Sequence, residues 1–303
     1  MFGMNDCTGN NLDRFRANMA AIVFRCREAG AEVVLCTPNN VYPNEPRPEE
    51  RLARFAQVVR DLAAEMETPL ADCFQAYEDV RKNSQTDWCL LMSEFIHPNM
   101  NGHRLFAEVM TKAITGKTVS LVDVGPPDDA LAFTIRRLRS GEPMKIVAME
   151  PYDEIVPAAL RECFPQAAME TVTWPVEGKS LDAIEVWAKN VRNLKPDLVV
   201  FAIPGEVKAA SDPQFVRQYC WSLAQSFSFG RATFDTVPVL PSVAGQLDDS
   251  AKLREELAKR VIRGYDVECI ERTAGCTKTA RQIVSEWIEH RMLASDGTRK
   301  NVP

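Results

Sequence analysis

A chain of 303 residues, 46% hydrophobic and 26% charged, has the balance of a globular protein and is long enough for two domains of ordinary size. No run approaches the roughly eighteen apolar residues of a transmembrane helix, and a formal charge of −6 argues against a nucleic-acid or anionic-membrane surface, so small or neutral ligands are the expected partners. Nine cysteines without a C-x-x-C pair, with Cys26, Cys36, Cys73 and Cys269 inside apolar segments, read as reduced and buried; three histidines leave little material for zinc, and no metal or cofactor is expected.

The chain opens on MFGMND, Met1 to Asp6. Leu12–Ala29 then carries Phe15, Met19, Ile22, Val23 and Cys26 at helical spacing and stops at Gly30, a C-cap signal. Glu32–Thr37 is a β-branched run before Pro38, the pattern of a short buried parallel strand. Pro43, Pro46 and Pro48 predict an extended loop, and Leu52, Phe55, Val58, Val59 and Leu62 predict a helix over Glu49–Met66. Pro69–Phe74 is the next predicted strand, and Tyr77–Trp88 is polar, either irregular or helical.

Ser93–Phe106, SEFIHPNMNGHRLF, concentrates the chemistry. Pro98 suits a first helical turn, and from about Asn101 the apolar residues Leu105, Phe106, Val109, Met110, Ala113 and Ile114 mark a helix running to Gly116. His97 therefore stands on a loop at a helix N-terminus. Glu94, three residues upstream, can turn back onto one imidazole nitrogen and leave the other to take a proton, the base half of a hydrolytic triad.

FGMND followed by HPNMNGH resembles the SGNH, or GDSL-type, esterase and lipase family, which has a Gly-x-Asn-Asp turn in its third block and Asp-x-x-His-Pro in its fifth. The resemblance implies a flavodoxin-like three-layer α/β/α fold with a parallel sheet. It implies Asn5 and Gly3 as oxyanion-hole residues, His97 as general base and Glu94 as its orienter, in place of the family's usual Asp. The family's nucleophilic Gly-Asp-Ser occurs nowhere in the 303 residues. That absence leads us to expect a first unit that starts at the third block and is short by about two βα units.

Thr118–Gly141, with Gly125, Pro126, Pro127 and a basic stretch through Arg136, Arg137 and Arg139, reads as a linker and lead-in helix. Beyond it, strands are predicted at Lys145–Met149, Met169–Thr173, Asp197–Ile203, Thr236–Leu240 and Val267–Ile270. Helices are predicted between and after them at Val156–Cys163, Leu181–Leu194, Phe215–Phe227, Ala251–Ile262 and Thr279–Met292, the last with a Thr279/Gln282 capping box. The expected organisation is 1–117, the later part of an SGNH unit; 118–143, linker; 144–293, a second α/β unit; and 294–303, a tail.

The second unit also resembles the family, as a degenerate repeat. Its nucleophile position falls at Pro151 or Tyr152 and its oxyanion position near Gly205 or Glu206; no His-Pro pair precedes its last helix, in which His290 lies. The function the resemblance implies is hydrolysis of an acyl, acetyl or carbohydrate ester, with this chain inactive as it stands because the Ser block is missing. The alternative is a non-catalytic binding or structural protein of two decayed modules. A flavodoxin-like nucleotide domain is disfavoured, because no Gly-rich phosphate loop follows a strand. Compartment and oligomeric state are not assigned by the sequence.

Overall fold

The computed structural model describes residues 2–125, 130–227 and 233–296, and the chain divides into two compact units, Met1–Val124 and Gly125–Pro303. Among the described residues no helix is long and apolar enough to cross a membrane. Of the predicted linker and tail, residues 126–129 and 297–303 lie outside the described residues.

In the first unit, α1 is Asp6–Gly9 and α2 is Leu12–Glu28. The side chain of Asn11 accepts the Arg14 amide at 2.9 Å, satisfying one of the donors a helix start leaves open. β1 (Leu35–Cys36), α3 (Glu49–Glu65), β2 (Leu70–Ala71), α4 (Cys73–Asn83), α5 (Gln85–Cys89) and α6 (Met100–Thr115) follow. β1 and β2 pair in parallel, Leu35 opposite Leu70 and Cys36 opposite Ala71. Phe15 and Val23 of α2 pack with Leu52, Phe55, Val59 and Leu62 of α3 in the core.

Two predicted strands are corrected here. The ladder of Glu32–Thr37 shrinks to Leu35–Cys36, and that of Pro69–Phe74 to Leu70–Ala71, with Cys73 and Phe74 already helical. The cause is Asp72. Its carboxylate accepts the Gln75 amide at 3.2 Å, a local bond that starts α4 and competes with the ladder. Thr37 ties the strand end to the same place, its hydroxyl donating to Asp72 at 3.0 Å and accepting the Phe74 amide at 2.8 Å. The polar stretch Tyr77–Trp88 lies in α4 and α5.

In the second unit, α7 (Ala132–Arg139) leads into β3 (Met144–Met149), α8 (Tyr152–Cys163), β4 (Met169–Trp174), α9 (Leu181–Ala188) and β5 (Leu198–Phe201). Then come α10 (Asp212–Gln225), β6 (Asp235–Pro238), α11 (Asp249–Arg263) and α12 (Ala280–Asp296). The sheet is parallel throughout, in the order β4-β3-β5-β6. The order reverses after β4, so right-handed crossovers put α8 on one face and α9 and α10 on the other. α12 packs on α8, and α10 lies between α9 and α11. Covered on both faces, β5 and residues Ile146–Met149 of β3 are fully buried, which is why they read as unbroken apolar runs.

Two readings of this unit are corrected as well. Val267–Ile270 is no full strand: Ile270 makes a single parallel bridge to Val239. The chain turns away because the Arg272 guanidinium is drawn to the carbonyls of Ser242, Val243, Cys276 and Lys278 at 2.6–3.0 Å. The helix predicted over Leu181–Leu194 breaks after Ala188 and resumes as a 3₁₀ turn at Val191–Leu194, which ends on left-handed Lys195. The Thr279/Gln282 capping box is present, the Thr279 amide donating to Gln282 at 2.9 Å and the Gln282 amide to Thr279 at 3.3 Å.

Candidate functional site

The loop that carries His97 is closed by Asn99. This buried side chain caps α6 by accepting the amides of Asn101 and Gly102 at 3.0 and 3.2 Å, and its own amide group donates to the carbonyls of Leu90 and Met92 at 2.8 and 3.3 Å. The Ser93 amide donates to the His97 carbonyl at 2.9 Å, completing a tight turn. Within it the Glu94 carboxylate folds back, accepts the His97 amide at 2.6 Å and the Ile96 amide at 3.2 Å, and contacts His97 Nδ1. A carboxylate on Nδ1 places the proton of a neutral imidazole there and makes Nε2 the basic nitrogen. The His97 side chain is 73% exposed, against 22% for Glu94.

At the other end of the unit, Gly3 is buried with φ +110°, and a Cβ there would lie 3.5 Å from Phe15 and 3.6 Å from Pro38. The left-handed backbone requires glycine. The Gly3 amide donates to Asp6 at 3.1 Å, so it can serve an oxyanion only by exchanging that partner. Asn5 is exposed, and its Oδ1 accepts from Arg47 Nη2 at 3.1 Å, while Arg47 Nε donates to the Met4 carbonyl at 3.0 Å. A guanidinium can only donate, so Arg47 turns the carbonyl of Asn5 toward itself and leaves the amide nitrogen on the opposite side, as a donor.

One segment, residues 37–48 after β1, carries both ends. Pro38 packs beside Gly3, and Arg47 grips Met4 and Asn5. From the same segment the Asn39 side chain donates to the Ile96 carbonyl at 3.0 Å and the Tyr42 amide to the Phe95 carbonyl at 3.0 Å, in the His97 loop. Asn40, also buried, accepts Trp88 Nε1 at 2.6 Å. Both predicted site segments thus hang on the loop at the carboxyl end of β1, where doubly wound sheets place their chemistry. The prolines marked this loop in the sequence, but nothing local showed that Asn39, Tyr42 and Arg47 are its anchors; adjacent Asn39 and Asn40 straight after an apolar strand were the available signal.

Burial pushes the Cys7 thiol up, and Arg51, Arg47 and Arg54 are near enough to act on it in the opposite sense. Guanidinium groups at this spot favour a developing negative charge. Among the described residues no three His, Cys, Asp or Glu side chains cluster as a metal set.

Residues 1–105 match the model of the GDSL-like lipase/acylhydrolase family, a span that takes in Gly3, Asn5, Glu94 and His97. The first unit is a GDSL-like unit. No curated protein matches the chain. Among solved structures the chain is similar to a two-domain esterase active on acetylated mannans, crystallised with mannopentaose, at 12% identity and a TM-score of 0.35, covering 59% of this chain and 58% of that one. In the second unit, Pro151 and Tyr152 follow β3, Gly205 and Glu206 follow β5, and His290 is in α12.

Proposed function

We propose that the GDSL-like unit supplies the proton-transfer and oxyanion half of an ester hydrolase. His97 Nε2 takes the proton of an attacking serine hydroxyl and returns it to the leaving alcohol; Glu94 fixes the ring through Nδ1 and balances the imidazolium that forms. The side-chain amide of Asn5, set by Arg47, donates to the tetrahedral oxyanion, with the Gly3 amide as a second donor once it leaves Asp6. The contact of Glu94 with His97 Nδ1 is the observation that carries this reading. Substrates of the class are acyl, acetyl or carbohydrate esters.

No Gly-Asp-Ser occurs in the 303 residues, so the polypeptide by itself is expected to turn over p-nitrophenyl acetate negligibly. A turnover above about 1 per second, within the ordinary enzyme range, would reveal a nucleophile other than a Gly-Asp-Ser serine. In a form that carries a Gly-Asp-Ser block, His97→Ala removes most of the activity and Asn5→Ala lowers kcat about 10²–10³-fold. Glu94→Gln costs less than His97→Ala, because it leaves the base in place. Unchanged kcat in Asn5→Ala would take Asn5 out of the site.

A further inference from the structure

The parallel pairing of β1 with β2 brings two cysteines together. Cys36 closes β1 and Cys73 is the first residue of α4; 37 positions apart in sequence, they place their Sγ atoms 3.3 Å from each other. Both are free thiols, Cys73 fully buried and Cys36 9% exposed. A disulfide bond is roughly 2.05 Å long, so a closing movement of about 1.3 Å, within the range of side-chain rotation, would join them.

The surrounding backbone holds the pair in register. On one side of Cys36 the Leu35 amide donates to the Pro69 carbonyl at 2.9 Å, and on the other the Thr37 amide donates to the Ala71 carbonyl at 3.2 Å. The Thr37 hydroxyl accepts the Phe74 amide at 2.8 Å and donates to Asp72 at 3.0 Å, so the residues on both sides of Cys73 are tied to the residue after Cys36. Two reacting groups held in this way have a high effective concentration for each other. The hydrogen bond between the sulfurs holds the Cys36 thiol below the usual range, and that bond together with burial pushes Cys73 up. Cys36 is therefore the sulfur that attacks first, and Cys73 the one that resolves.

We propose that Cys36 and Cys73 form a reversible disulfide, a redox-controlled staple between β1 and α4, with a peroxide as the oxidant. The Cys36 thiolate attacks one oxygen of hydrogen peroxide, the O–O bond breaks, the departing hydroxide takes up the proton that Cys36 gave up and leaves as water, and Cys36 becomes a sulfenic acid. The Cys73 sulfur then attacks the Cys36 sulfur, the S–O bond breaks, and the oxygen leaves as a second water with the Cys73 proton. Two electrons pass from the thiols to the peroxide, and a dithiol reverses the change by exchange. The limited exposure of Cys36 suits a molecule of peroxide size better than a protein disulfide. The staple stands at the root of the segment 37–48, which holds both Asn5 and the His97 turn, yet the proposal rests on the thiol pair alone and not on the esterase reading.

The test starts from the full chain reduced with dithiothreitol, freed of it and treated with hydrogen peroxide, after which free thiols are alkylated under denaturing conditions and the peptides mapped by mass spectrometry. The peptides of Cys36 and Cys73 are expected to appear linked and unalkylated, and to return to the alkylated form when dithiothreitol is added back. Amide exchange at residues 33–37 and 70–76 is expected to slow several-fold in the oxidised protein. In Cys73→Ala the reaction should stop at a Cys36 sulfenic acid that dimedone traps, and Cys36→Ala should leave Cys73 unmodified. Alkylation of both thiols after peroxide, a link from either of them to another cysteine, failure of dithiothreitol to restore the thiols, unchanged exchange in the linked protein, or dimedone labelling of Cys73 in Cys36→Ala would each overturn the proposal.

Discussion

Asp72 shows how one side chain can shape a local fold. Burial alone would raise its pKa, but the Arg60 guanidinium, the Gln75 amide and the Thr37 hydroxyl hold the carboxyl below the usual range. Arg60 reaches it through Nε at 2.7 Å and Nη2 at 3.1 Å. A carboxylate with a depressed folded-state pKa contributes stability above its unfolded value, near 3.9, and that contribution is lost as pH falls through the lower folded value. Asp72→Asn, which keeps a cap-forming side chain but no charge, should therefore lower stability at pH 7 by about 1.5–3 kcal/mol. Denaturant titrations at a series of pH values should show the gap from the parent closing below about pH 4; a gap that persists at pH 2 would place the loss elsewhere.

At the scale of the element, α6 is anchored by its first turn. Gly102 has an ordinary helical position, yet a Cβ there would lie 2.5 Å from the Leu91 carbonyl oxygen and 2.7 Å from Pro98, and would strike the Tyr77 hydroxyl. In an open helix Gly→Ala gains about 1 kcal/mol. Here the overlap is with backbone, and Gly102→Ala should instead destabilise the first unit by about 1–3 kcal/mol, read as a lower urea midpoint. A raised midpoint would mean that α6 does not press this closely on the His97 loop. Asn99→Ala removes the cap, orphans the Met92 carbonyl and leaves the Leu90 carbonyl only its longer bond from Asn101, and should cost about 1–3 kcal/mol by the same measurement. Amide exchange in residues 93–97 should speed up with it, since Asn99 is what closes that loop on α6.

For the molecule as a whole, the second unit holds what an independent domain needs. β3 and β5 are buried under helices on both faces, and the whole β4-β3-β5-β6 sheet lies within residues 125–303. That segment, expressed alone, should melt in one cooperative transition followed by circular dichroism, and a broad non-cooperative melt would show that its core depends on the rest of the chain.

Most of this organisation was legible along the chain. Apolar period located the long helices; unbroken apolar runs located β3 and β5, because strands covered on both faces need no polar alternation. The spacing of Glu94 and His97 was enough to place a carboxylate beside one imidazole nitrogen, since a three-residue turn is a local matter; the structure specified Nδ1. Tertiary structure decided what local pattern cannot express. Arg60 and Thr37 arrive from distant parts of the chain to hold the Asp72 carboxylate where β2 ends; Arg272 draws the chain out of the sheet after Ile270 by reaching distant carbonyls; and the loop after β1 joins Asn5 to the His97 turn through residues some forty to sixty positions apart in the chain. A cleft in the second unit belongs to the same class: Glu150, Glu177 and Glu206, which line it, are scattered in sequence and meet there only because parallel strands bring their carboxyl ends together.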